Sequence, residues 1–273
     1  PFSAAAMHRW KVRDERFLEA ELWPDVRGTL LHAAVEQYLK TGCAPKEALE
    51  TAWNEVRPRG LLQGVRIRES ALMRLLPVMF KFIEKEKEYR ERSGARTLHL
   101  EDLELEEVIA SVKVTGIPDR IDEAQDGSLF FIDFKSGAAQ TSGLDMLEKG
   151  YRLQLPFYAL AGRKRLGKRV AGVQFVELNR KGSRSSGLFF PGSNGKDPGK
   201  LSNARSNSKS LISTHTPEEA WACLQEHVTR AVVGLRDGAH DANPVMGRKE
   251  CDSCLVADLC GIRRVLSNEV LSE

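Results

Sequence analysis

Two aspartates and a lysine carry the first chemical signal in this chain. In IPDRIDEAQDGSLFFIDFKSG, residues 117–137, Asp119 stands upstream of Asp133, and Lys135 follows at D-x-K spacing. Alternate residues of a strand share a face, so Asp133 and Lys135 project to one side while Ile132 and Phe134 face the other, into a core. Asp126-Gly127 is a hairpin signal that folds the Asp119 segment back beside the Asp133 segment. Two carboxylates and a peptide carbonyl, that of Phe134, form the oxygen-rich set that Mg²⁺ accepts. An adjacent lysine can hold or activate a water and offset charge on a phosphorane-like transition state. Alone, a D-x-K pair is most often a solvated ion pair, so the surrounding elements must decide.

Those elements divide by period. Residues 14–57 read as helix, with Leu30, Leu31, Ala34, Val35, Tyr38 and Leu39 at helical spacing. Gly42 and Pro45 end that stretch, and a second helix starts near Ala48. Residues 66–92 predict a long charged helix closed by Gly94. From Thr97 to Lys135 the pattern turns to strands: LHLEDLELEEV, ASVKVTGIPDRID and SLFFIDFK. Tyr151–Leu166 predicts a helix, VAGVQFVELN a strand, SGLFF a further short strand, and Pro217–Asp237 a last helix. KGSRSSG and the Gly/Ser/Asn/Lys-rich segment 191–210 predict surface loops. A helical front, a mixed middle with one central sheet and a cysteine tail imply an α/β or α+β architecture.

The tail holds Cys251, Cys254 and Cys260 as C-x2-C-x5-C. Three thiolates in so short a stretch point to a metal in a reducing compartment, and either zinc or an iron–sulfur cubane needs a fourth ligand. Cys43 is one candidate for that ligand; Cys223 reads as a small core residue within EEAWACLQEHV.

Taken together, GIPDRID, FIDFKSG and YRLQLPFYA resemble the RecB/AddB/Cas4-like branch of the PD-(D/E)xK nuclease superfamily. The resemblance spans residues 28–160 by motif and, with the cysteines, nearly the whole chain. It implies a restriction-endonuclease-like core, a mixed central sheet flanked by helices, with a helical N-terminal part over residues 1–95. The nuclease core would cover 96–240 and the cysteine-cluster tail 241–273, all as one domain. By resemblance, Asp119 and Asp133 match the metal-binding acids and Lys135 the catalytic lysine. Gln154 and Tyr158 match a Q-x-x-x-Y pair, four apart and so on one helix face. GTLLHAAVE matches the helix that supplies a histidine to the metal, placing His32 beside the carboxylates; a nitrogen ligand admits Mn²⁺ as well as Mg²⁺. A further acid often precedes the first motif strand, and alternation leaves Glu101, Glu104 and Glu106 equal. The cysteines match a motif that closes a 4Fe–4S cluster whose fourth cysteine opens the domain in a C-P-[FY] sequence. Since the chain begins Pro1-Phe2, that cysteine is expected just before Pro1, in a longer parent chain. Zinc is the alternative occupant.

Composition agrees without deciding. The chain has 273 residues, 41% hydrophobic and 29% charged, which suffices for a core. A formal net charge of +3 permits a polyanionic partner without requiring one. Basic residues in GRKRLGKR (162–169) and NRKGSRSS (179–186) are candidates for phosphate contact. The expected partner is DNA, bound through its phosphates with no base readout. With no Walker A loop in the chain, a helicase motor would lie in the parent chain or in a partner subunit. No secretory signal or membrane span is visible, so a cytoplasmic protein is expected. The expected reaction is metal-dependent hydrolysis of phosphodiester bonds on single strands or DNA ends, in recombination or repair.

Overall fold

The structure is a computed structural model that describes residues 22–56, 65–137, 142–150, 152–184, 186–190 and 215–238. Cys251, Cys254 and Cys260 lie outside the described residues, as do residues 14–21 of the first expected helix.

Three helices lead. α1 spans Pro24–Thr41, α2 Pro45–Val56 and α3 Val65–Ser93. Proline opens α1, where its missing N–H costs nothing. Gly42 closes it in the left-handed region (φ 67), donating its N–H to the Tyr38 carbonyl at 2.8 Å. Leu30, Leu31, Ala34 and Val35 are the buried face of α1, as the helical spacing predicts.

Among the described residues seven strands follow or interleave: β1 Arg96–Leu100, β2 Leu105–Ile109, β3 Val112–Gly116, β4 Arg120–Glu123, β5 Leu129–Lys135, β6 Val170–Glu177 and β7 Gly187–Phe189. Helices α4 (Gly143–Lys149) and α5 (Gln154–Leu166) connect β5 to β6, and α6 is Pro217–Arg236. The main sheet runs β1-β4-β5-β6-β7, antiparallel except for the β5–β6 pair. That parallel pair needs a crossover, which α4 and α5 supply. The fold is therefore mixed α/β, a central sheet flanked by helices.

Both faces of β5 are covered. Phe130, Ile132 and Phe134 join the core formed with α1, α2 and α3. On the other face Phe131 lies under α5, so tightly that a Cβ on Gly162 would come within 2.2 Å of the ring. Close approach of helix to strand is what requires glycine there.

Two expected strands are each divided. The 98–108 run breaks at Glu101, whose φ of 53 turns the chain out of β1. The 110–122 run breaks at Ile117-Pro118, because proline cannot donate to a ladder and restricts its predecessor. Between the breaks, β2 and β3 pair as a separate two-stranded sheet turned at Ala110 and Ser111, both with positive φ. The Asp126-Gly127 hairpin forms as expected, with Gly127 at φ 78. The helix expected from Tyr151 starts at Gln154, and α4 was not apparent from periodicity; Ser142 caps it by accepting from the Asp145 N–H.

The chain falls into two compact units. The larger, Leu18–Glu107 with Lys113–Leu224, contains the five-stranded sheet; the smaller takes in the hairpin tip Val108–Val112 and α6 from Gln225 onward. Within the smaller unit the Arg236 guanidinium donates to the Ser111 carbonyl at 3.4 Å. No helix among the described residues is long and apolar enough to cross a membrane.

Candidate active site

Strand register places the acids in a row. Leu100 pairs with Arg120 across β1–β4, and the Glu101 N–H donates to the Asp119 carbonyl at 3.1 Å, carrying the pairing one step further. Arg120 pairs with Ile132 across β4–β5, so the next step sets Asp119 opposite Asp133. Asp133 in turn pairs with Phe175 on β6. Glu101, just past β1, Asp119, just before β4, and Asp133, within β5, thus stand abreast. Register, which sequence alternation alone cannot fix, selects Glu101 from the three glutamates considered.

Helix α1 reaches the row from one side. His32 Nδ1 lies 3.6 Å from Asp119 Oδ2, and its ring meets Phe134 edge-on at 5.9 Å. Donor atoms of His32, Glu101 and Asp119 lie within 4.8 Å of one another. Asp119 Oδ2 also accepts from the Phe134 N–H at 2.5 Å.

Helix α5 reaches it from the other side. Lys135 Nζ lies 2.5 Å from Asp133 Oδ2 and donates to Gln154 Oε1 at 3.2 Å. Gln154 Nε2 donates to the Tyr158 hydroxyl at 2.9 Å. Gly116, at the end of β3, packs on Tyr158 so closely that a Cβ there would lie 2.7 Å from Tyr158 Cε1. A chain of contacts therefore runs from Asp133 through Lys135 and Gln154 to Tyr158. Asp133 is turned towards the lysine and does not join the three-residue donor cluster.

Electrostatics follow from crowding. Burial, then the neighbouring Asp133 charge, push the Asp119 carboxyl above the usual carboxylate range, and the Phe134 N–H only partly opposes them. Burial also raises Asp133, against the pull of Lys135. Glu101 is raised by burial and by Glu36. Burial lowers His32, although Asp133 opposes this; the imidazole is thus kept neutral, the form that binds metal. Tyr158 is raised by burial, which keeps its phenol protonated. An acidic row that costs free energy when ionised, with a neutral imidazole beside it, fits a divalent cation: oxygen and nitrogen donors converge, and a positive ion would relieve the repulsion.

The chain matches the PD-(D/E)XK nuclease superfamily over residues 2–261. It belongs to that superfamily. No curated protein matches the chain. As a PD-(D/E)XK nuclease it is a phosphodiester hydrolase acting on nucleic acid, in a family that uses divalent metals.

The proposed phosphate-contact segments divide between different places. Lys164 pairs with Glu107, Arg163 with Glu218, Lys168 with Glu123 and Arg169 with Asp126. The Arg169 carbonyl bonds Leu129, at the start of β5, whereas Asp133 and Lys135 occupy its end. Arg184 is buried against Glu86. Of the remaining cysteines, Cys43 and Cys223 are half-buried free thiols.

Proposed function

We propose that the protein is a Mg²⁺- or Mn²⁺-dependent deoxyribonuclease of the RecB/AddB/Cas4-like branch, cutting single strands or DNA ends in recombination or repair. The observation that carries this is the pairing of two arrangements at one row of acids: the His32–Glu101–Asp119 donor cluster and the Asp133–Lys135–Gln154–Tyr158 chain.

In this reading His32, Asp119, Asp133 and the carbonyl of Phe134 hold the ion, with Glu101 added to the set inferred from the sequence. When bound, such an ion supplies positive charge against the negative charge that develops on the phosphate. Lys135 does the remaining work at its Nζ: it orients the attacking water and donates a hydrogen bond to the charge that develops in the transition state. Gln154 Oε1 fixes the ammonium, and Tyr158 fixes Gln154. Neutral His32 leaves its ring nitrogen free to ligate. Sequence-independent cutting follows, because all of these groups address phosphate and none addresses a base.

The C-x2-C-x5-C spacing further supports a 4Fe–4S cluster on Cys251, Cys254 and Cys260, with zinc as the alternative. A helicase motor, in the same chain or a partner, would supply unwound strands. The odd cysteine count favours a cytoplasmic setting.

The test is cleavage of labelled single- and double-stranded DNA with Mg²⁺ or Mn²⁺. Cutting that EDTA abolishes and Lys135→Ala removes is expected; cutting that persists unchanged in Lys135→Ala would overturn the assignment. Broad visible absorption of the purified protein would separately identify an iron–sulfur cluster, and a colourless zinc-loaded protein would remove it.

A further inference from the structure

Lys135 and Ser136, at the end of β5, offer two consecutive carbonyls, and each is taken by an element that brings positive charge. The Leu178 N–H donates to the Lys135 carbonyl at 2.7 Å, continuing the β5–β6 pairing past Glu177. The chain then turns at once through Asn179–Gly182. Asn179 Oδ1 accepts from the Lys181 N–H at 2.8 Å and the Gly182 N–H at 3.1 Å, and its Nδ2 donates to Glu177 at 2.9 Å. Gly182, at φ 61, lies against α3, where a Cβ would come within 3.2 Å of Lys85 Cγ. The turn is thus fixed at both ends, and its two central residues, Arg180 and Lys181, are exposed.

Helix α1 reaches the same strand end, so closely that a Cβ on Gly28 would lie 3.2 Å from the Ser136 hydroxyl. Arg27, the residue before it, is exposed and donates from Nη2 to the Ser136 carbonyl at 3.3 Å.

Pairing sets these three cations apart. Arg163, Lys164, Lys168 and Arg169 are each matched to a carboxylate, and Arg184 to Glu86. Lys81 and Lys85, against the turn, are matched to Glu84 and Glu88. Arg27 bonds an uncharged carbonyl, and Arg180 and Lys181 have no acidic partner among the described residues. A carbonyl steadies a guanidinium without neutralising it and leaves its other N–H donors to bond elsewhere.

We propose that Arg27 and the Arg180–Lys181 turn form a phosphate track at the end of β5, holding phosphates of a single nucleic-acid strand next to the one that Lys135 addresses. Cations spread over two elements suit the successive phosphates of a strand, which they position without reading a base. The inference rests on the nuclease reading above and adds to it the path of the strand.

The experiment measures binding of a fluorescent single-stranded oligodeoxynucleotide to the full chain in EDTA, where the strand stays intact, across a salt series. Arg27→Gln is expected to weaken binding about tenfold, as loss of a charge-assisted contact does. It should also reduce the slope of log affinity against log salt by about 0.7, the share of one phosphate contact on a single strand. The double variant Arg180→Gln/Lys181→Gln should reduce the slope by about 1.4, two such shares. Arg169→Gln, at the start of β5 and paired with Asp126, should keep the wild-type slope. All of these positions are exposed, so each variant should keep its melting temperature. The proposal is overturned if either Arg27→Gln or the double variant keeps the wild-type slope, or if Arg169→Gln lowers it as much as Arg27→Gln does. Cutting with Mn²⁺ judges the nuclease reading separately. A wild-type chain that never cuts, while the variants show these slope losses, removes that reading alone; one that cuts, while the variants bind as it does, removes the track alone.

Discussion

Asp119 and Arg120 are neighbours in sequence, yet they belong to two charged regions built on opposite principles. Arg120 and Asp122 turn towards α3. There the Arg120 Nε donates to Asp122 Oδ1 at 2.9 Å, and its guanidinium lies 3.0 Å from Glu86 Oε1. Arg184 reaches the other Glu86 oxygen at 2.5 Å, Tyr89 donates to Asp122 at 2.9 Å, and Arg184 lies over the Tyr89 ring at 4.6 Å. Positive and negative groups alternate in this knot. Burial alone would raise the Glu86 carboxyl, but Arg120, Arg184 and Arg90 outweigh it and hold the group down at about 2. In the row, burial raises Asp119 with the Asp133 charge added to it, and raises Asp133 against the pull of Lys135. The outcomes differ because three guanidiniums outweigh burial at Glu86 and no cation outweighs it in the row. In the knot each carboxylate meets a guanidinium; at Asp119 no cation outweighs burial, and a metal ion can supply that charge.

The largest expected effects break the comparison at each end. Asp133→Ala or Lys135→Ala should cut the rate of DNA cleavage by about ten-thousandfold, some 5 kcal/mol of barrier, with the fold kept. Single-turnover kinetics on labelled DNA beside a thermal melt would check both halves. Glu86→Ala should do the reverse and destabilise by about 3–5 kcal/mol, since it strands Arg120 and Arg184 in the core; urea unfolding measures that loss.

A pH series sharpens the contrast. Asp119 and Asp133 have raised folded values, so the native state binds their protons more firmly than the unfolded chain does. Stability of the metal-free protein should therefore fall as pH rises from the ordinary carboxylate range through the raised values. Glu86 is depressed, so its contribution is present above the ordinary range and is lost as pH falls towards 2. Adding Mn²⁺ at about a hundred times its dissociation constant should stabilise by roughly 3 kcal/mol at pH 8 and by less at pH 5. Asp119→Asn should erase most of that gain; an equal gain at both pH values in wild type would count against a metal seated on these acids.

The smallest effect is the most local. Gly116→Ala would push a methyl against Tyr158 and disturb Gln154 and Lys135 behind it. Cutting should fall about tenfold, for a stability cost of about 1 kcal/mol at the low end of overpacking. If Gly116→Ala cuts at the wild-type rate, the Tyr158–Gln154–Lys135 chain does not position the lysine.

Much of this site could be read from the residues because its parts are local. Asp133 and Lys135 share a face by strand period, and Gln154 and Tyr158 share one by helical period; both pairs appear as expected. His32 emerges from the sequence only through the resemblance of GTLLHAAVE, yet α1 does bring it to Asp119. Glu101 could not be chosen beforehand, because its place depends on how β1 registers against β4, a matter of pairing between segments 20 residues apart. The run 162–169 follows the Q-x-x-x-Y helix in sequence, yet Arg169 stands at the start of β5, whereas the run 179–186 begins just after Leu178, whose N–H donates to the Lys135 carbonyl.

By itself, then, the sequence determined which residue types are available and which near neighbours share a face, since periodicity acts over a few bonds. It marked the hairpin at Asp126-Gly127 and the stop at Gly42, because each depends on the backbone freedom of one residue. Only the tertiary structure decided that three acids would stand abreast at neighbouring strand ends while Arg120 turned away into a charge-paired knot. Register and burial are properties of distant segments in contact, and they alone set whether a buried carboxylate meets a guanidinium or another carboxylate.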